Sequence, residues 1–295
     1  MSKCVMVLIM AVACVSNSVL AVPVTAGLVL QLDMSSVTTD GSGNVTSWND
    51  LSGNGNNAVQ ATGSLQPVFV SSMTPTGASA IKFDGTDDYL DIVPNSTFDG
   101  GSFTMFAVYA VDAFDGGSGT RRLINLGYAD IDPGTPVKQI TSTYSLIVGS
   151  GTTGVRSTSR NVGGTGIFAA SGIPAGYATD TFYVAAATMD SVSTNATAYL
   201  IDSAGSVTSA FLAGATAVGS GNNVARIGAG TSGNTVTTPS VYLNGWVSEI
   251  LIYNTVLTSD EIADVSEYLA NKYIPEPATI SLLMLGLGLF IRRGK

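Results

Sequence analysis

Asp87, Asp88, Asp50 and Asn54 are the residues of this chain best placed to do chemistry. Asp87 and Asp88 are adjacent like charges in the run Asp84-Gly85-Thr86-Asp87-Asp88, and a hard cation would relieve their repulsion. Asp50, Ser52, Asn54 and Asn56 place oxygen-bearing side chains at alternate positions of a Gly-rich loop. Such a spacing can converge on Ca²⁺, the one cofactor these residues would take. A plainer reading stands beside each. A calcium loop usually holds more carboxylates and a closing bidentate acid, and Asn and Gly favour left-handed turns without metal. In the same way, Asp84 to Asp88 reads as a hairpin turn between two strands, with Gly85 tolerating a positive φ and carboxylates capping the turn.

Other chemistries are excluded by residue type. The chain has no histidine, and its two cysteines, Cys4 and Cys14, lie in an apolar N-terminal run. Ser-His-Asp and Cys-His catalysis therefore have no base, and no disulfide or thiolate metal site is available to the rest of the chain. From Val22 to Pro277 there are eight Lys and Arg against twenty-one Asp and Glu, a net of −13. So acidic a segment is not a partner for nucleic acid, which needs clustered cations. Trp48 and Trp246 are the only tryptophans. Exposed aromatics stack on sugars, but both sit in apolar, strand-like context that predicts core packing.

Both ends of the chain read as sorting signals. Residues 1–21 carry Lys3, the apolar run Cys4 to Val15 and a small-residue stretch that ends at Ala21, the expected signal-peptide cleavage site. At the other end, Pro275-Glu276-Pro277 precedes an apolar stretch, 278–291, and the basic end Arg292-Arg293-Gly294-Lys295. Fourteen residues make a helix about 21 Å long, short of a hydrocarbon core of roughly 30 Å, so this transmembrane helix is a marginal anchor. The three parts in this order resemble the PEP-CTERM sorting signal. That resemblance implies an exosortase-type protease as partner, transient membrane anchoring of segment 274–295, and delivery to the cell surface or a biofilm matrix.

Gly, Ser, Thr, Asn and Val dominate the middle, 22–273, while charged residues make up only 11% of the chain. That composition favours strands joined by turns. Phe103 to Val111 is apolar on both faces, as a central strand of a sandwich would be. One helix stands out near the end. Thr258-Ser259-Asp260-Glu261 offers a capping box, and Ile262, Val265, Leu269 and Tyr273 recur at helical spacing.

Four segments in order resemble the laminin-G-like domains of the concanavalin A-like lectin/glucanase superfamily. They are Gly27 to Asp33, Val45 to Ala58, Ile81 to Leu90, and Asn244 to Asn254 with the helix that follows. The resemblance implies an all-β fold, a two-sheet antiparallel jelly-roll sandwich closed by a short C-terminal amphipathic helix. It also implies calcium at acidic rim loops, which supports Asp87 and Asp88. Some superfamily members are glycosidases, whose chemistry needs two suitably separated carboxylates. This chain has four glutamates: Glu261 and Glu267 on the helix, Glu276 in the tail, and Glu249 alone in a strand with Val247 and Leu251 as its expected same-face neighbours. The strand-borne pair is absent. The expectation is a non-catalytic module that binds carbohydrate or another matrix component. The alternatives are a hydrolase using dispersed aspartates and a purely structural coat protein. N-terminal sequencing of the exported protein should begin at Val22-Pro23; a first residue elsewhere rejects cleavage after Ala21.

Overall fold

The computed structural model describes residues 21–92, 98, 101–113, 121–130, 139–148, 154–161, 167–170, 177–203, 205–214, 222–231 and 239–274. Most of the signal segment and the whole sorting motif and apolar tail lie outside them. Among the described residues no helix is long and apolar enough to cross a membrane.

Eighteen strands and one α-helix are described. The first six are β1 (Leu28–Thr39), β2 (Val45–Asp50), β3 (Ala58–Val59), β4 (Val68–Val70), β5 (Ala80–Asp84) and β6 (Leu90–Ile92). Next come β7 (Phe103–Val111), β8 (Arg121–Asp130), β9 (Gln139–Val148), β10 (Val155–Asn161), β11 (Ile167–Ala170) and β12 (Tyr183–Asp190). The last are β13 (Asn195–Ile201), β14 (Val207–Leu212), β15 (Asn222–Ile227), β16 (Gly230–Thr231), β17 (Pro239–Ser240) and β18 (Asn244–Tyr253), followed by α1 (Ser259–Tyr273).

Every ladder is antiparallel, and hydrogen bonding runs β11-β10-β9-β8-β15-β6-β3-β2-β1-β18-β7-β12-β13-β14, with β5 also on β18. The path folds on itself at β1. Leu28 and Leu30 to Asp33 pair with β18, whereas Val37 to Thr39 pair with β2, which also meets β1 at Leu32–Asp50 before its register shifts between Leu32 and Val37. Such a shift lets one strand turn from one layer into the other. One layer therefore runs from β11 to β2 and the other from β18 to β14.

Strand β7 explains the stacking. All nine of its residues are buried. Phe103, Met105, Ala107, Tyr109 and Val111 join Ile124, Leu126, Leu146 and Ile227 in the core between the layers. The opposite face, Phe106, Val108 and Ala110, packs with Ile262, Val265 and Leu269 of α1. The two-faced apolar reading of this segment is thus met by a second sheet on one side and the helix on the other. The helix starts as its sequence dictates: Thr258 and Glu261 form a reciprocal capping box. Trp48 is fully buried and donates its indole N–H to the Asp33 carbonyl at 2.8 Å.

A buried ionic cluster fastens α1 to the sheet. Asp33 of β1 lies directly opposite Glu249 of β18. Lys272, in the last turn of α1, hydrogen-bonds Asp33 and sits 2.7 Å from Glu249 Oε2. Tyr268 and Tyr273 donate their hydroxyls to the two Glu249 oxygens at 3.0 and 2.7 Å. Glu249 has no exposed surface, and burial pushes its carboxyl up despite the Lys272 charge. Burial works against the ionised Asp33 as well, but hydrogen bonds from Lys272 and Ser35 outweigh it and hold that carboxyl low. The sequence reading of Glu249 needs one correction. The register slips between Val247 and Glu249, so Val247 faces the inter-layer core while Leu251 and Glu249 face the helix side. Strict alternation fails there because Ser248 is the extra residue of a bulge.

The same strand carries a glycine that packing demands. A Cβ on Gly245 would lie 2.2 Å from the Ala110 carbonyl oxygen of β7. Backbone cannot retreat from such a clash as a flexible side chain would. Gly245→Ala is expected to lower stability by roughly 1–3 kcal/mol. Urea unfolding checks this; an unchanged midpoint would show that β7 and β18 sit farther apart.

Candidate functional site

The outward face of the β6–β15–β8–β9–β10 layer carries a row of polar side chains in direct register. Asp91 pairs with Arg226, Arg226 with Asn125, Asn125 with Ser145, and Ser145 with Thr158. Their chain neighbours Leu90, Ile92, Ala225, Ile227, Ile124, Leu126 and Leu146 all point into the core. Strand alternation therefore turns the polar residues outward.

Burial along the row is uneven. The Asp91 side chain is 43% exposed, while that of its partner Arg226 is only 4% exposed. Arg226 Nε donates to Asp91 Oδ1 at 2.6 Å and Nη1 to the Gly230 carbonyl at 3.3 Å, and the guanidinium lies 4.8 Å from the Tyr89 ring centroid. Asn125 and Ser145 are buried although they face away from the core, and Ser145 Oγ donates to Asn125 Oδ1 at 2.8 Å. Asn125 Nδ2 and Thr158 Oγ1 are buried and have no hydrogen-bond partner among the described residues. A buried donor left unpaired costs about 1–3 kcal/mol, and both atoms are closed to solvent in this structure, so a hydroxyl-rich ligand would use them only on displacing what covers them.

Beside the row, the turn joining β5 to β6 brings Asp84, Asp87 and Asp88 together, with ligand atoms of all three within 4.8 Å of one another. These strands do not pair: β5 bonds to β18 and β4, β6 to β15 and β3. The hairpin expected here is therefore an arch between layers, and Gly85 takes a φ of 78° within it. Asp84 Oδ1 accepts the backbone N–H groups of Thr86, Asp87 and Asp88. Burial opposes its charge, but these donors hold the Asp84 carboxyl low. Asp88 is pushed up to about 6, first by burial and then by the Asp84 charge. Asp87 and Asp88 are thus brought together, joined by Asp84, which sequence reasoning had treated only as part of the turn. The turn borders the stripe, since it leads directly into β6, which carries Asp91.

Asp50 and Asn54 are used differently. Asp50 Oδ1 accepts from the backbone of Gln31 and Ser52, and Oδ2 accepts from Ser52 Oγ and the Asn56 backbone. Asn54 Nδ2 donates to the Leu28 carbonyl at 3.2 Å. These bonds knit the loop to β1, which favours its structural reading. Trp246 is half-buried with Lys82 Nζ 3.9 Å from its ring centroid, so neither tryptophan offers a bare face to a sugar. A cavity of about 450 Å³ lies on the opposite side of the molecule between α1 and the β13–β14 hairpin, lined by Tyr199, Ile201, Val207, Ile262, Ala263 and Ile274. It is apolar and shares no residue with the stripe.

With this geometry in hand, the fold finds its counterparts. The chain is similar to Trypanosoma rangeli sialidase in complex with sialic acid, at 17% identity and a TM-score of 0.52 over 87% of this chain and 35% of that one. The same sialidase as the covalent 2,3-difluorosialic acid intermediate gives 18% identity and a TM-score of 0.52 over 87% and 35%. The CBM40 of Ruminococcus gnavus IT-sialidase bound to α2,3-sialyllactose gives 16% identity and a TM-score of 0.46 over 63% of this chain and 95% of that one. The fold is a concanavalin A-like jelly-roll β-sandwich. This chain spans about a third of the sialidase's length, and at these identities the likeness concerns fold alone. No protein-family model matches the chain, and no curated protein matches it in sequence.

The acidic arch yields a pH-dependent expectation. Asp88 ionises in the fold only above about pH 6, whereas unfolded it ionises near 3.8. Between these values the folded state holds the extra proton, so without metal the Asp88 contribution to stability falls as pH rises. A bound cation reverses that cost. Millimolar Ca²⁺ is expected to raise the melting temperature near pH 7.5, by mass action, and to lose the effect as pH drops through about 6. Asp87→Asn should abolish the rise. A melting temperature indifferent to Ca²⁺ near pH 7.5 removes the ion from this arch.

Proposed function

We propose that this is a non-catalytic, laminin-G-like module that binds carbohydrate of an extracellular matrix on the outward polar row. The observation that carries the reading is the registered line Asp91–Arg226–Asn125–Ser145–Thr158, with hydrogen-bonding atoms of Asn125 and Thr158 unspent. Saccharides present rows of hydroxyls that donate and accept at once, and Asn, Arg, Asp and Thr answer both needs. A few convergent polar groups on a rigid sheet fix ligand orientation without loop ordering. The jelly-roll fold is compatible with such a role and does not by itself assign it. The Asp84–Asp87–Asp88 arch beside the row would add Ca²⁺ as a structural or ligand-bridging ion.

Delivery completes the proposal. Pro275-Glu276-Pro277 and the apolar run behind it would bring the exported chain to an exosortase-type protease, with membrane contact before processing and surface or matrix residence after it. A hydrolase reading is less supported, because the described row offers one carboxylate, Asp91, and that one is engaged by Arg226. A structural coat role has one observation of its own: Val207 and Phe211 on the terminal strand β14 are 58% and 63% exposed, a face suited to self-association.

The full chain should bind at least one polysaccharide on glycan and matrix-polymer arrays, and Asn125→Ala should weaken that binding about tenfold by removing one buried polar contact. Absence of binding with and without Ca²⁺ rejects the binding reading. Sedimentation into large assemblies without any glycan ligand would favour the coat.

A further inference from the structure

We propose that Lys272 and Asp33 condense into an intramolecular isopeptide bond, with Glu249 as the residue that moves the proton. The proposal rests on the geometry of the buried cluster and not on carbohydrate binding. Lys272 Nζ hydrogen-bonds Asp33 Oδ2 and Glu249 Oε2 together. The two carboxylates are cross-strand partners, held side by side by the β1–β18 ladder. Tyr268 and Tyr273 close the cluster with their hydroxyls on Glu249, and the Trp48 indole N–H fixes the Asp33 backbone from the other side.

The cluster supplies the three things amide formation needs. The first is a fixed encounter between amine and carboxyl, equivalent to an effective concentration of about 10⁵ M or more. The second is restricted access of bulk water, which otherwise favours the separated ions: Glu249 is fully buried, and the Asp33 and Lys272 side chains are 12% and 26% exposed. The third is a carboxylate that touches the nitrogen and can shuttle a proton.

The step balances without a co-reactant. One proton moves from Lys272 Nζ to Asp33 Oδ2 along the hydrogen bond that joins them, leaving a neutral amine and a neutral acid. The Nζ lone pair attacks Asp33 Cγ. Glu249 takes the second proton from the nitrogen and passes it to the departing hydroxyl oxygen. The Nζ–Cγ bond forms, the Cγ–Oδ2 bond breaks, and one water leaves. Nothing is oxidised or reduced, and one positive and one negative charge disappear together.

Such a bond would staple the first strand to the last helix, two residues before the end of the described chain and three before the Pro275-Glu276-Pro277 motif. Force applied through the C-terminal segment would then reach β1 directly and could not peel α1 from the sheet.

Mass spectrometry of the purified full chain tests this. The chain is expected to be about 18 Da, one water, lighter than the sequence between its determined termini. Trypsin should fail to cut after Lys272, and a branched peptide should join the Asp33 and Lys272 segments. Glu249→Gln, checked for folding by circular dichroism, should have its full sequence mass. Linear peptides with an unmodified Lys272, or an 18 Da loss confined to an unbranched Asp33 peptide, overturn the proposal. A folded Glu249→Gln chain that still forms the branch overturns the role given to Glu249.

Discussion

A carboxylate with no contact to water must find a cation and hydrogen-bond donors, and Glu249 imposes this demand on the structure around it. Removing one partner from such a buried pair typically costs about 3–5 kcal/mol, because the other charge is left stranded. Lys272 meets the demand from the helix, Tyr268 and Tyr273 share it, and Asp33 balances the lysine from β1. The position of α1 follows. Its apolar face covers Phe106, Val108 and Ala110, so β7 can be apolar on both sides. The inter-layer core can then use the other face of the same strand. The helix is therefore the outer wall of one sheet, and the ionic cluster fixes its last turn.

The polar row lies on the face of the other layer that points away from the core. There the division between core and surface is drawn by strand alternation alone. Ile124 and Leu126 face in, and Asn125 faces out between them. The same rule acts on β6, β9, β10 and β15, and the antiparallel registers align the outward residues into one row. The acidic arch lies next to it because β5 and β6 belong to different layers, so the segment joining them must cross the rim.

Local features were readable from the chain itself. The capping box at Thr258 and Glu261 and the spacing of Ile262, Val265, Leu269 and Tyr273 define α1 without reference to anything distant. The two-sided apolar run of β7 is equally local. The polar row is not legible in the sequence, because its members lie on five strands far apart in the chain, among other polar residues, and only the pairing register shows that five of them share a line. Asp84 was overlooked for a related reason: its backbone-accepting role identifies it as a turn residue, and its closeness to Asp87 and Asp88 appears only when the arch is formed. For Glu249 the alternation correctly gives Leu251 as a same-face neighbour but not Val247, because one extra residue at Ser248 reverses the facing of the strand between them. A bulge of that kind leaves no mark in residue composition.

The bend in β1 has a kinetic consequence. Its first half pairs with β18, more than two hundred positions away in sequence, while β2, close in sequence, pairs with it at Leu32 and along its second half. Neither layer can close until nearly the whole domain has been synthesised. Long-range pairing of this type slows folding, since loop closure must precede the contacts that reward it. A chain that stays open while it is being made is also one that can be threaded through a narrow translocation pore before it folds.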